Sequence, residues 1–153
     1  MVTLKEQGVI NQWREVVYWS GLQSKAITNN PVRGISVNAW DAEKALMEDP
    51  GVVVRACEET ARELIRDGAE VIIIGCGLYG PMCADASFTN VDGVVPVVDP
   101  VTASFKLAED WVIFKRNLNM PYLSRIGRYQ RIPDEHAQRI RKHFGVDKVS
   151  SSD

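Results

Sequence analysis

Residues 69–80 read AEVIIIGCGLYG, and this stretch decides the fold. Its β-branched run, residues 71–74, is too short for a helix and has no polar position, which is typical of a strand buried in a parallel sheet. Before it, Asp49-Pro50 offers a helix start and Gly68 a helix end, with apolar residues on one face between them. A helix, a buried strand and a glycine-rich loop in this order predict that the strand is central in an α/β sheet.

The segments on either side of this stretch alternate in the same way. The spacing of apolar residues predicts a helix over residues 4–18 and a short strand over residues 31–37. After the loop, a short helix around residues 81–87 precedes a second buried run, residues 94–98. Pro96 in that run has no amide hydrogen to donate, which favours a position near the edge of the sheet.

The C-terminal part adds an amphipathic helix over residues 99–116, a long connection over residues 117–133 and a final helix over residues 135–144. The face of the amphipathic helix that we expect to point inward consists of Val101, Phe105, Ala108, Trp111 and Val112. We therefore predict an α/β fold, three-layer with a short mostly parallel sheet and right-handed crossovers. It forms a single domain over residues 1–145, followed by a flexible tail over residues 146–153.

The composition is that of a globular chain that can bury a core of its own: 153 residues, 45% hydrophobic and 25% charged. Eighteen Lys and Arg against twenty Asp and Glu leave a formal charge of −2, so no overall field favours nucleic acid or an anionic membrane. No apolar run approaches the roughly 18 residues of a membrane span, and the N-terminus lacks the layout of a signal peptide. We therefore expect a cytoplasmic protein without a nucleic-acid or membrane partner.

The cysteines and histidines do not form a metal or disulfide pattern. Cys57, Cys76 and Cys83 follow one another at intervals of nineteen and seven, which fits free thiols in a reducing compartment. His136 and His143 stand seven apart with no further ligand type at a suitable spacing, which favours two surface positions on one helix over a zinc site. No metal site is predicted.

Cys76 is the residue in this sequence that is best placed for chemistry. Ligands collect at the carboxyl ends of parallel strands, where free amides converge, and Cys76 follows the predicted central strand directly. Gly75 and Gly77 permit close backbone approach, and a helix that begins just beyond favours a thiolate. The competing interpretation is a buried structural thiol beside a tight turn; the two flanking glycines favour the functional one.

The loop also matches GxGxxG, the pattern of a dinucleotide-binding turn. Gly75, Gly77 and Gly80 supply the glycines, and Asp99 lies at the end of the next strand, where such a fold places the acid that binds a ribose. Against this interpretation, Pro81 and a nearby turn shorten the crossover helix, and no further strand follows Asp99 to complete the sheet.

Other candidate groups carry less weight. Cys57 falls within an amphipathic helix, where packing explains it, and nothing at the spacing of Cys83 requires it to face the site. Arg125, Arg128 and Arg131 either clamp a carboxylate or solvate a loop; the sequence favours the second.

Five segments together resemble a known family. They are GL at 21–22, AEVIIIGCG at 69–77, VPVVDPV at 95–101, LAE at 107–109 and SRIGRY at 124–129. They resemble the C-terminal lobe of the aspartate/glutamate/hydantoin racemase superfamily, and look closest to its hydantoin and allantoin racemase branch. The likeness extends over residues 2–133.

The resemblance implies an isomerase that needs neither a metal nor a pyridoxal cofactor. Members have two α/β lobes with a small substrate between them, and one cysteine from each lobe serves each face of the α-carbon. In this chain Cys76 would be the catalytic acid and base of the C-terminal lobe. Gly75, Gly77, Leu78 and Tyr79 would contact the hydantoin or amino-acid-like substrate, with amides near Gly77 and Leu78 donating to its carbonyl oxygen.

The chain departs from this family in one large respect. No segment before Cys76 resembles the cysteine loop of an N-terminal lobe, so we expect that lobe to be missing from this truncated sequence and the isolated chain to have little activity. A homo-oligomer would supply the second face of the site. Two alternatives remain: a decarboxylase of the arylmalonate type, which uses one cysteine, and a non-catalytic remnant that only binds or associates.

Overall fold

Helices alternate with short strands along the chain, and the computed structural model describes residues 1–119, 130 and 132–146. The strands in this part are β1 (Val2–Thr3), β2 (Arg33–Gly34), β3 (Ile72–Ile73), β4 (Asn90–Val91) and β5 (Val95–Val98). The helices are α1 (Gln7–Trp19), α2 (Ala39–Glu48), α3 (Gly51–Arg66), α4 (Tyr79–Asp85), α5 (Pro100–Leu118) and α6 (Asp134–His143), with a 3₁₀ turn at Gln23–Lys25.

The strands join in the order β2-β1-β3-β5-β4. β1 pairs with β2 and β3 pairs with β5, both in parallel, whereas β4 pairs with β5 in an antiparallel hairpin. A parallel bridge between Val2 and Ile74 connects the two groups of strands, and the amide of Gly75 donates to the carbonyl of Val2 at 2.6 Å. The predicted α/β class with a short, mostly parallel sheet is therefore confirmed, and β3 is central as expected.

Helix α3 forms where the sequence predicts it. The Asp49 carboxylate accepts a hydrogen bond from the amide of Gly51 at 3.0 Å, and the chain leaves the helix at Gly68, whose φ of 97° favours glycine. Its buried face consists of Val53, Ala56, Cys57, Thr60, Ala61 and Leu64. Removing a side chain such as Leu64 from water contributes about 2 kcal/mol, so this face anchors the core beneath β3.

Strand β3 is buried on one face only, which corrects the expectation of a strand covered on both faces. Ile72 and Ile74 are fully buried and belong to the core cluster. Val71 is 47% exposed and Ile73 37% exposed, because alternate residues of a strand point to opposite faces. The side that carries Ile72 and Ile74 thus holds the packed core.

Two further expectations differ from the structure. The strand at residues 31–37 is reduced to Arg33–Gly34. The position of β5, by contrast, agrees with the expectation from Pro96: it lies next to the edge, with only the two-residue β4 paired to its outer side. α5, which the structure describes in full, has no buried residue, so its predicted inward face is wrong.

One helix was not predicted from the sequence. α2 begins after Asn38, whose side-chain oxygen accepts from the amide of Asp41 at 2.9 Å. Only the small side chains of Ala42 and Ala45 are buried on this helix. Such a face gives a weak hydrophobic pattern, so the segment could be read as a loop.

The chain divides into two compact units, Met1–Glu109 and Asp110–Asp153, with the division inside α5. The first unit contains the sheet and α1–α4. In the second unit, α6 carries acidic residues in its first turn and basic residues in its last turn, which is the arrangement that the helix dipole favours.

The single domain over residues 1–145 stays a prediction. Of the predicted tail, only Val146 lies within the described residues. None of the described helices has the length and apolar character needed to cross a bilayer.

Candidate functional site around Cys76

The loop between β3 and α4 is held at both of its ends. At its start, the carbonyl of Gly75 accepts a hydrogen bond from the buried Thr3 hydroxyl at 3.2 Å. At its end, the amide of Gly80 donates to the carbonyl of Cys76 at 3.0 Å and turns the chain into α4. The position of Cys76 at the carboxyl end of the central strand is therefore fixed by the sheet and by the first turn of the helix.

The three glycines of the loop differ in what surrounds them. Gly75 is buried, and a Cβ there would lie 2.7 Å from Met1 Sδ and 3.3 Å from the Trp13 ring. A Cβ at Gly80 would overlap the Asp99 carboxylate. Gly77 is exposed, and a Cβ would meet only Val101 Cγ2 at 4.0 Å. None of the three has a positive φ. Packing thus accounts for the outer two glycines but not for Gly77.

Cys76 is half-buried, whereas Cys57 and Cys83 are 0% and 1% exposed. All three thiols of the chain are free. Among the described residues, no backbone acceptor takes the amide hydrogens of Gly77 and Leu78, so they remain available to a ligand. Cys76 is accordingly the most exposed of the three thiols.

Tyr79 lies behind this loop rather than on its surface. Its side chain is 1% exposed, and its buried hydroxyl has no hydrogen-bond partner among the described residues. Burial, followed by the neighbouring thiols of Cys76 and Cys57, raises the pKa of Tyr79 to about 12. The phenol is therefore protonated at neutral pH and can donate a hydrogen bond within the core. It lies close to the predicted site, but its side chain is not exposed to a substrate there.

The carboxylate of Asp99 begins α5. Its Oδ1 accepts from the amide of Val101 at 2.9 Å, and its Oδ2 accepts from the amide and hydroxyl of Thr102 at 3.1 and 2.7 Å. Partial burial acts to raise the pKa of Asp99, but the hydrogen bonds from Thr102 and Val101 together lower it. Both oxygens that a dinucleotide site would direct at a ribose are thus engaged with their own helix.

Two thiols to which the sequence assigns little weight lie in the core behind the loop. Cys57 on α3 and Cys83 on α4 are both buried members of one hydrophobic cluster. A cavity of about 350 Å³ has Cys83 in its wall, together with Gly80, Phe88, Thr89 and Thr102. Spacing along the chain could not have indicated that both thiols join one cluster, since this depends on which faces of two helices meet.

The remaining sequence candidates do not join this site within the described residues. Arg125, Arg128 and Arg131, with the motif at 124–129, lie outside them. His136 and His143 are exposed on α6, as predicted. In the part of the chain that the structure describes, no three His, Cys, Asp or Glu residues are grouped as metal ligands.

Comparison of the chain with models of protein families, with curated proteins and with solved structures finds no match.

Proposed function

We propose that this chain is a cofactor-independent racemase or epimerase of the hydantoin or amino-acid type, with Cys76 as an acid and base. One observation carries the proposal: the accessible thiol follows the central strand and stands beside Gly77, a glycine that packing does not require. An open glycine next to a nucleophile is the arrangement expected where a ligand approaches the backbone closely.

The proposed chemistry is proton transfer at a carbon next to a carbonyl group. The Cys76 thiolate takes the α-proton, and the electron pair of the broken C–H bond moves into the carbonyl, which becomes an enolate. Amides of Gly77 and Leu78 donate hydrogen bonds to the enolate oxygen, where the negative charge develops. A proton returned to the opposite face of the carbon completes the inversion.

A second acid is needed on that opposite face. Cys57 and Cys83 are buried in the core, so neither serves a substrate that contacts Cys76 from the solvent side. We therefore include in the proposal a homo-oligomer, or a partner lobe, in which another chain supplies the second donor. Without it, Cys76 removes and returns the proton on a single face.

The test is exchange of the α-proton of 5-substituted hydantoins in D₂O, followed by NMR together with the chirality of the recovered substrate. Wild-type protein should accelerate exchange above the buffer rate, and Cys76→Ser should return exchange to that rate. Cys57→Ala is the matched control, because it removes a thiol that no substrate reaches, and it should retain exchange. Equal exchange by wild type and Cys76→Ser would contradict the proposal.

The chirality measurement separates the two possible assemblies. Exchange with inversion requires donors on both faces, whereas exchange with retention indicates that Cys76 acts alone. Sedimentation of the same samples shows whether inversion accompanies self-association.

A one-thiol decarboxylase is a second candidate, and it is favoured by the observation that Cys76 is the one cysteine that is not buried. Loss of carbon dioxide from a malonate leaves an enolate, which Cys76 would protonate from one face. Release of carbon dioxide from an arylmalonate by wild type but not by Cys76→Ser, with no exchange of hydantoins, would select this function. A protein that supports neither reaction, with Cys76 alkylated as slowly as the buried thiols, would be a non-catalytic remnant.

A further inference from the structure

The cavity of about 350 Å³ between α4, β5 and the first turn of α5 is a second candidate binding site. Its wall is largely apolar: Ile74 and Cys83 are fully buried, and Phe88, Val97 and Val98 are half-buried. Small-molecule sites have volumes of about 300 to 1,000 Å³, and an apolar cavity of about 150 Å³ is enough to bind benzene. This cavity therefore has room for one aromatic ring with a short substituent.

One carboxylate interrupts the apolar wall. Asp99 accepts three hydrogen bonds, one from the amide of Val101 to Oδ1 and two from Thr102 to Oδ2. Because a carboxylate offers about four acceptor positions, Oδ1 can accept one more. Gly80 lines the cavity next to this oxygen, since a Cβ at Gly80 would overlap it. No side chain at position 80 therefore covers Oδ1.

The charge of Asp99 has no ionic partner in the described part of the chain. Within that part, no Lys or Arg lines the cavity and no ion pair includes Asp99. Partial burial acts to raise the pKa of Asp99, but the hydrogen bonds from Thr102 and Val101 together lower it, so the group is an anion at neutral pH. A cation in the cavity is attracted to this charge, whereas an anion of the same shape is repelled.

We propose that the cavity binds a small primary amine that carries one aromatic ring. The ring lies among Ile74, Phe88 and Val98, and the ammonium group donates a hydrogen bond to Asp99 Oδ1. The Thr102 hydroxyl oxygen accepts a second ammonium hydrogen, because it lines the cavity and keeps lone pairs beyond the proton that it donates to Asp99. The third ammonium hydrogen remains hydrated.

This site is separate from the proposed racemase site. Cys76 is not among the residues that line the cavity, and neither are Gly77 and Leu78, whose amides serve the proposed enolate. The amine therefore binds without taking part in proton transfer at Cys76.

The test is a titration of the full chain with 4-fluorobenzylamine at pH 7, followed by ¹⁹F NMR, with 4-fluorobenzyl alcohol as the uncharged probe of the same shape. For a ligand of this size we expect the wild type to bind the amine with a Kd of about 1 mM. The alcohol should bind at least about threefold more weakly, because a hydrogen bond between charged groups is stronger than one to a neutral donor.

Two substitutions of carboxylates locate the charge that the amine meets. Asp99→Asn keeps the shape of the wall, and it should bind the amine no more tightly than the alcohol. Asp85→Asn is the matched control, because it removes the same charge from an exposed position of α4 that does not line the cavity. In this control the amine should still bind more tightly than the alcohol.

A third variant locates the ring. Ala84 and Ala103 both line the cavity and are exposed at its mouth, so the double substitution Ala84→Leu and Ala103→Leu narrows the cavity without changing the core. Both probes should bind this variant at least about tenfold more weakly, because the leucines occupy the space of the ring. Circular dichroism of each variant shows whether it is folded.

Four results would overturn the proposal: no saturable binding of the amine, equal affinity of wild type for amine and alcohol, a preference for the amine that persists in Asp99→Asn, or unchanged affinity in the double leucine variant. If Asp99→Asn does not fold, the wild type and the leucine variant decide alone. No hydantoin or malonate enters the measurement, so its failure leaves the proposed racemase function untouched.

Discussion

The loop at residues 75–80 has a glycine at each end and one in the middle, and the space around these glycines differs between the ends and the middle. At the ends, Gly75 and Gly80 are closed in by Met1, Trp13 and Asp99, so a side chain has no room. In the middle, Gly77 has open space around it. The same residue type thus serves packing at two positions and leaves surface free at the third, and only the third is informative about a ligand.

The largest effect on stability is expected at the closed end next to α4. In Gly80→Ala the new Cβ overlaps the Asp99 carboxylate, so either the carboxylate leaves its helix cap or α4 shifts. We expect the free energy of unfolding to fall by about 2 kcal/mol, as measured by urea denaturation. The matched control is Gly8→Ala, a helical glycine with nothing within 4 Å of its Cβ position; it should gain up to about 1 kcal/mol. If Gly80→Ala had the same free energy of unfolding as wild type, the Asp99 carboxylate would be able to move aside without cost.

A smaller effect is expected from the carboxylate that closes this end. Asp99→Asn keeps the shape but loses one acceptor oxygen, and should cost about 1 kcal/mol at pH 7. Because the pKa of Asp99 is lowered in the folded chain, its contribution is complete above the ordinary carboxyl value of 3.8 and is lost as pH falls through the folded value. The stability difference between wild type and variant should therefore shrink below pH 4 in acid unfolding curves.

Other carboxyl groups with lowered pKa values do not affect the stability difference between wild type and Asp99→Asn. Hydrogen bonds from Arg33 and Arg62 lower the pKa of Asp67 and Asp92 respectively, and both are present in wild type and variant. If the difference in free energy of unfolding between wild type and Asp99→Asn stayed constant between pH 7 and pH 2, the ionised form of Asp99 would not be what stabilises α5.

The smallest effect on stability is expected at the open middle of the loop. In Gly77→Ala the Cβ has only an ordinary contact with Val101, and the backbone is not left-handed, so the free energy of unfolding should change by less than about 0.5 kcal/mol. Exchange of hydantoin α-protons should nevertheless fall by at least about tenfold, because the methyl group occupies space that the substrate needs. Full exchange activity in this variant would remove Gly77 from the proposed site.

Sequence patterns predicted the parts of the fold that depend on strong, local signals. The β-branched run gave β3, and the apolar face of α3 appeared at the predicted spacing because large side chains mark it. α2 was missed since its buried side chains are alanines, while its large apolar residues Trp40 and Met47 are exposed. For α5 the apolar stripe is real, but Phe105 on it is 69% exposed.

The candidate site was predictable only in outline. The position of Cys76 follows from the order of strand and loop, which is local information. The burial of Cys83 in the same cluster as Cys57, and the burial of Tyr79 behind the loop, depend on the rotation of α4 against α3. That rotation is set by contacts between distant segments, so no spacing along the chain encodes it.

The lengths of the outermost strands have a consequence for solubility. Within the described residues, β2 at one border of the sheet and β4 at the other contain two residues each. Sheets grow into fibrils by adding chains to long rows of unpaired peptide groups, and such short borders offer few of them. β5, at four residues the longest strand described, would present such a row if its hairpin partner were removed, so loss of Asn90–Val91 should promote aggregation rather than simple unfolding.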